Sequence, residues 1–342
     1  LTSVHAFAVD PTRGGFILAL LLLYVGGALA LFAWRAPAVG EGARFALVSR
    51  EGALVINNLL LSVILAVVFL GTLYPLMVEA ATGEKLSVGP PYFNAVTGPL
   101  GLLLMLLLVV GPLLRWRRHD APLAKWVAPS LLAGAAALVA TIVLAPGMAL
   151  LARLGLSLGI ALVPASLAPL AGRSLRRTPL KTWGMAVAHL GVAVSVIGMA
   201  SDSAFTRERL AAARPGEQLA VGPWLVAFNG VTPVAGPNWT ALEADLAVTQ
   251  GGPERSLKPQ ARMFTSPVTE TSEVAIATAW NGQLYTVLGR QSGQRWQLRL
   301  WWKPFVTLIW LGGAMVALGG LLALIGHGWT GRRRRLAREA IA

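Results

Sequence analysis

The sequence predicts an all-α polytopic membrane bundle of about seven transmembrane helices, with a small β-rich extracytoplasmic domain between the last two. Three observations carry this. Of 342 residues, 55% are hydrophobic and 13% charged, against about 25% charged in a soluble domain. Apolar runs such as 16–32, 59–78 and 98–114 each approach the roughly 20 residues that cross a ~30 Å hydrocarbon core. Residues 201–304 break the pattern: they hold ten basic and eight acidic side chains and no run that can span.

The predicted spans are 16–34, 54–78, 98–114, 127–145, 148–170, 183–200 and 305–326. The net charge of +14 is compatible with nucleic acid in principle, but its distribution argues for membrane topology and no nucleic acid. Three connections are basic: Arg35, Arg44 and Arg50; Arg115, Arg117, Arg118 and Lys125; Arg173, Arg176, Arg177 and Lys181. The tail adds Arg332 to Arg335 and Arg338. On the other side stand only Arg13, Lys85 and the uncharged Pro146-Gly147 turn. The excess of base on the cytoplasmic side puts the N-terminus and residues 201–304 outside and the C-terminus inside. The chain has no cysteine, which excludes disulfides and c-type haem attachment to itself. It begins with Leu, and no signal-peptide pattern precedes the first span; the expectation is a longer protein or a split gene.

Residues 201–304 alternate in "WLVAFNGV" and "QLYTVLG" and carry Asn229-Gly230 and Asn281-Gly282, the marks of strands and tight turns. Trp301-Trp302-Lys303 before the last span reads as an interfacial anchor. The expected domains are therefore 1–15, an outer loop; 16–200, six spans; 201–304, β-rich; and 305–342, the last span and a basic tail.

With no cysteine and few acids, histidine is the candidate metal-binding side chain. His119 sits in a basic loop and His327 at the end of a span; solvated and interfacial roles suffice for both. His189 is different. Eight residues beyond Lys181, it lies roughly 12 Å along the helix axis, where ionisable groups are costly and usually functional. Gly184, Ala186, Ala188 and Gly191 would let a helix or a flat ligand approach. Three readings stay open for His189: a neutral imidazole bonded across helices, a haem ligand, or a proton or substrate relay. His5 precedes Asp10, Pro11 and Arg13 just outside the first span. Pro11 stiffens the turn. Arg13 suits a carboxylate such as a propionate or, equally, lipid phosphate.

The segment "TSVHAFAVDPTRGGFIL" (2–18) resembles one found in CcmF-type cytochrome c haem lyases. Further blocks match in order: "SREGALVINNLLL" (49–61), "GTLYPL" (71–76), "SVGPPYFN" (87–94), "WGMAVAHLGVAVSVIGMAS" (183–201), "GPNW" (236–239) and "KPFVTLIWLGGAMVALGGLLAL" (303–324). The match covers almost the whole chain and corresponds to the C-terminal half of the family's usual length.

The resemblance implies cytochrome c maturation. A haem lyase of this kind takes haem from a haem chaperone and joins its vinyl groups to the cysteines of a C-x-x-C-H motif in apocytochrome c. Thiol-reducing and apocytochrome-presenting subunits would be further partners, beside membrane lipid. His5 matches an external histidine that holds the transferred haem, and so is the catalytic candidate, with Arg13 a weaker propionate contact in a haem-handling loop. His189 matches a transmembrane histidine ligating a resident haem b. The first histidine of each pair, and the tryptophan-rich segment, would lie upstream, so activity would need the upstream half. Two rivals are weighed. A polytopic transporter usually shows paired halves, which this sequence lacks. A membrane b-haem electron-transfer subunit needs two deep histidines, and one is present.

Overall fold

The computed structural model describes residues 11–38, 44–84, 86–118, 122–266 and 268–339. Seven helices among them are long and apolar enough to cross a membrane: Gly15–Ala38, Arg50–Pro75, Pro90–Leu113, Ala124–Leu144, Leu150–Leu170, Leu180–Phe205 and Thr307–His327. The chain divides into two units, residues 1–100 with 114–120, and 101–113 with 121–342.

The first unit contains α1 (Pro11–Arg35), α2 (Arg50–Thr82) and the start of α3 (Pro90–Val110). Pro11 opens α1 at a position where the absent N–H costs nothing, so Arg13 lies in a helical turn and not in the expected loop. Ser49 caps α2: its buried hydroxyl accepts the Gly52 N–H at 3.0 Å. Glu51 follows in the first turn, favourable at the positive end of the helix dipole, and its carboxylate accepts the Arg117 N–H at 2.7 Å. Ala46 and Arg50 donate backbone N–H groups to Arg117 and Arg115. Two of the basic connections are thereby joined at one end of the unit, as the charge pattern requires. Helix α3 begins at Pro90, eight residues before the predicted span. Two prolines, favoured in a first turn, start a helix that hydropathy alone places later.

The second unit contains the rest of α3, then α4 (Ala124–Leu144), α5 (Leu150–Leu167), α6 (Leu180–Phe205) and α7 (Thr307–Glu339). Arg153 of α5 donates to the carbonyls of Ala145 and Pro146 at 3.0 and 3.1 Å, satisfying acceptors that the end of α4 leaves open. Helix α7 continues beyond the predicted end of the span, so the basic tail is helical as far as Glu339.

Between α6 and α7 lies a wholly antiparallel β-domain. One sheet has the order β1-β10-β9-β8, with β1 Arg207–Ala213, β8 Ala275–Ala279, β9 Gly282–Ser292 and β10 Arg295–Pro304. The other has the order β2-β3-β4-β6-β7, with β5 beside β4. Its strands are β2 Gln218–Val221, β3 Trp224–Ala235, β4 Trp239–Thr249, β5 Arg255–Leu257, β6 Gln260–Thr265 and β7 Val268–Glu273. Alternate residues point inward: Trp224, Val226 and Phe228 on β3 meet Leu284 and Leu288 on β9 and Leu298 and Leu300 on β10 in one buried core. Gly222 turns the chain at φ +54°, and the Trp302 indole lies against it. Trp301 and Trp302 are thus strand residues paired with Glu208 and Arg207, not a free anchor. Trp302 is held by packing inside the domain, and Trp301 lies beneath the Arg299 guanidinium at 4.5 Å.

Candidate functional site

His189 lies on α6 with its ring turned back toward the preceding turn, as helical side chains are. Its Nδ1–H donates to the Met185 carbonyl at 2.7 Å. A carbonyl only accepts, so in the neutral imidazole the hydrogen sits on Nδ1 and the lone pair on Nε2. Nε2 makes no hydrogen bond among the described residues. A backbone carbonyl fixing one ring nitrogen while the other is left free is how proteins present histidine to a metal.

The ring borders a narrow pocket lined by Leu108, Pro112, Ala165, Ser166, Pro169 and Met185. These come from α3, α5, α6 and two short 3-10 turns, Gly111–Leu113 and Ala168–Leu170. Most of the lining is apolar, and Ser166 donates its hydroxyl to Leu162 at 2.6 Å, so it does not compete for the ring. The donor chemistry fits one axial position of a haem iron: a neutral nitrogen in apolar surroundings. The gap beside the ring is too narrow for a water molecule, so a macrocycle would need surface beyond these residues. Among the described residues no cluster of three or more acidic or histidine side chains could hold another metal.

The small residues of α6 serve the other use expected of them. A Cβ on Gly184 would meet the Gly319 carbonyl at 2.6 Å, and one on Gly191 the Gly312 carbonyl at 2.6 Å. One on Gly198 would meet the Ile309 backbone nitrogen at 2.9 Å. Glycines seven apart on α6 therefore face α7, where Gly312, Gly319 and Gly326 repeat at the same spacing. His189 is on another side of the helix, toward α5.

His5 and His119 lie outside the described residues. Arg13 falls in α1, and its side chain is likewise outside what is described. His327 is exposed near the end of the seventh span, with Nδ1–H donating to Ala323. Sequence reasoning found His189 but missed Met185, whose signal was its position four residues earlier on one helix face.

The β-domain presents a second polar feature. Arg262 stacks on the Trp239 ring at 4.2 Å and donates to Gln260, which donates in turn to Glu243. That bond, helped by Lys258 at 3.1 Å, holds the Glu243 carboxyl below the usual carboxylate range. Arg299, bonded to Glu208 at 2.6 Å, does the same for that carboxyl.

A family model described as the CcmF C-terminal beta-sandwich matches residues 204–304. The chain is 41% identical to the cytochrome c-type biogenesis protein CcmF of Pseudomonas aeruginosa, over 100% of this chain and 54% of that protein. It is 39% identical to cytochrome c-type biogenesis protein CycK of Rhizobium meliloti, over 100% of this chain and 53% of that one. A solved structure titled Cytochrome c Heme Lyase CcmF superposes with a TM-score of 0.72 at 29% identity, covering 91% of this chain and 50% of that one. The chain spans about half the length of the curated relatives it matches. It belongs to the CcmF family of cytochrome c-type biogenesis proteins.

Proposed function

We propose that the chain acts in cytochrome c maturation as a haem lyase subunit of the bacterial cytoplasmic membrane, with the β-domain outside and the C-terminus inside. It receives haem from a haem chaperone and attaches it to apocytochrome c, together with the upstream half of the lyase and with thiol-reducing subunits. Each linkage adds a cysteine S–H across a vinyl C=C. A C–S bond forms, the hydrogen goes to the neighbouring vinyl carbon, and nothing leaves. Such an addition gains most from holding the two partners in register.

In this reading His5 supplies an axial nitrogen to the haem being transferred, and Arg13 grips a propionate. His189 offers Nε2 to a resident haem b. That group supplies one-electron chemistry when bound, suited to keeping the transferred iron ferrous. Met185 positions the imidazole, and the apolar lining offers the ring no competing polar partner. The β-domain docks the apocytochrome or the chaperone.

The observation that carries the reading is the His189 ring, half-buried in apolar surroundings with one nitrogen fixed and the other free. The test is a reduced optical spectrum of the detergent-purified protein, produced with whatever is encoded upstream. A b-type spectrum that is lost in His189→Ala and partly restored by added imidazole supports the assignment. A spectrum unchanged in the variant moves the haem to other residues. Unimpaired cytochrome c maturation in His5→Ala would remove His5 from the mechanism.

A further inference from the structure

Helix α2 carries two parallel seams. Asn57, Leu60, Ile64, Val67 and Gly71 form one, half-buried to buried. At its end Gly71 admits the Tyr92 and Phe93 rings of α3. About 100° round the helix runs a second: Leu54, Asn58, Leu61, Leu65, Val68 and Thr72. Its spacing alternates four and three, the 3.5-residue repeat of a helix that packs along another helix. This second seam is open. Leu54, Leu61, Leu65 and Val68 are 46, 48, 69 and 39% exposed.

Lipid would account for the leucines. It does not account for Asn58. Eight residues into the span Arg50–Pro75, Asn58 lies roughly 12 Å along the axis, within the hydrocarbon. Its one hydrogen bond among the described residues is from Asn57 Nδ2 to Asn58 Oδ1, at 3.3 Å. Either way the amide is turned, polar hydrogens remain unmet, and an unmet amide is costly in hydrocarbon, where no water can satisfy it. Thr72, the other polar residue of the seam, is satisfied within its own helix by the Val68 carbonyl. The seam therefore combines apolar knobs with a single central asparagine, the pattern that fixes register between paired helices.

We propose that the Leu54–Thr72 seam of α2 is an intramembrane protein interface, occupied by a transmembrane helix that presents a hydrogen-bonding side chain to Asn58. The occupant is a helix from family sequence beyond these 342 residues, since the curated relatives are almost twice as long. This goes beyond the lyase reading and does not depend on it.

The test places a photo-crosslinking benzoylphenylalanine at Leu61 in the full chain, in its native membrane, with the exposed Leu70 on the opposite face of α2 as control. Adducts are digested and sequenced. The expected adduct maps to an apolar segment outside residues 1–342 and is absent at Leu70. Its yield should fall about three- to tenfold in Asn58→Leu, as loss of an interhelical hydrogen bond predicts, and hold in Asn58→Gln. Adducts to lipid alone, to any segment within residues 1–342, or equally at Leu70 would overturn the proposal, as would a yield indifferent to Asn58→Leu.

Discussion

The β-sandwich and the α6–α7 hairpin are both closely packed, and they reach that state by opposite routes. The sandwich removes large apolar side chains from water: Phe228, Leu246, Leu284, Leu298 and Leu300 are fully buried. The hairpin lies where water is absent and burial between helices brings little hydrophobic gain. There close packing comes from deleting side chains, so that Gly184, Gly191 and Gly198 meet the backbone of α7. One substitution should therefore have opposite consequences in the two regions. Removing volume damages the sandwich, and adding it damages the hairpin.

The largest expected effect breaks the sandwich. Phe228→Ala should cost about 3–5 kcal/mol, the usual loss for an aromatic deleted from a full core. Hydrogen exchange of the intact protein should show β3, β4 and β9 losing protection while α4 and α5 keep theirs. Equal loss in all of them would mean that the two regions unfold as one.

The converse substitution sharpens the comparison within one helix. Gly312 sits against Ser195 and the Gly191 backbone, whereas a Cβ on its neighbour Gly313 would point into open space. Gly312→Val should cost about 1–3 kcal/mol by overpacking, read as a lower midpoint for thermal loss of monodisperse protein in detergent. Gly313→Val should leave that midpoint nearly unchanged. If both behave alike, the hairpin is not held by backbone contact.

A smaller effect belongs to the joint between the regions. A single residue, Thr206, separates α6 from β1, and two separate β10 from α7. Across this joint Lys303 pairs with Asp202 at 3.4 Å, and the Thr206 hydroxyl donates to the same carboxylate at 2.9 Å. Burial, then the Asp202 charge, pushes the neighbouring Tyr285 phenol up. Asp202→Asn should cost about 1 kcal/mol, because both partners are partly exposed. It should also lower the Tyr285 titration midpoint measured by ultraviolet absorbance.

Much of this was legible in the sequence, because hydropathy and alternation are properties of each segment alone. The seven spans and the β-rich insertion follow from composition, and the depth of His189 follows from counting residues from Lys181. What escaped depends on partners distant in sequence. Whether the α6 glycines admit a helix or a ligand is decided by Gly312 and Gly319, more than a hundred residues away. Trp302 looked like a membrane anchor because nothing local shows that Gly222 receives its ring. The early start of α3 was hidden because Pro90 and Pro91 are poor in hydropathy but good at opening a helix. The pocket beside His189 draws on five elements, and no single stretch of sequence displays it.

The smallest effect tests whether surface electrostatics separates the two regions at all. The Glu243 carboxyl is held below its ordinary value, first by the Gln260 hydrogen bond and then by Lys258. A carboxyl depressed in the folded state contributes stability at pH above its ordinary value, about 4.5, and that stability is lost as the pH falls through the folded value. Lys258 is largely exposed, so solvent screening limits the contribution to about 0.5 kcal/mol. Glu243→Gln should therefore lower the unfolding midpoint of the sandwich slightly at pH 7, with the gap to the native protein closing as the pH drops below 4.5. The hairpin, whose contacts carry no titrating group among the glycine pairs, should show no such convergence when Gly312→Val is followed over the same range. A constant gap for Glu243→Gln would mean that its carboxylate adds nothing beyond the shape of the side chain.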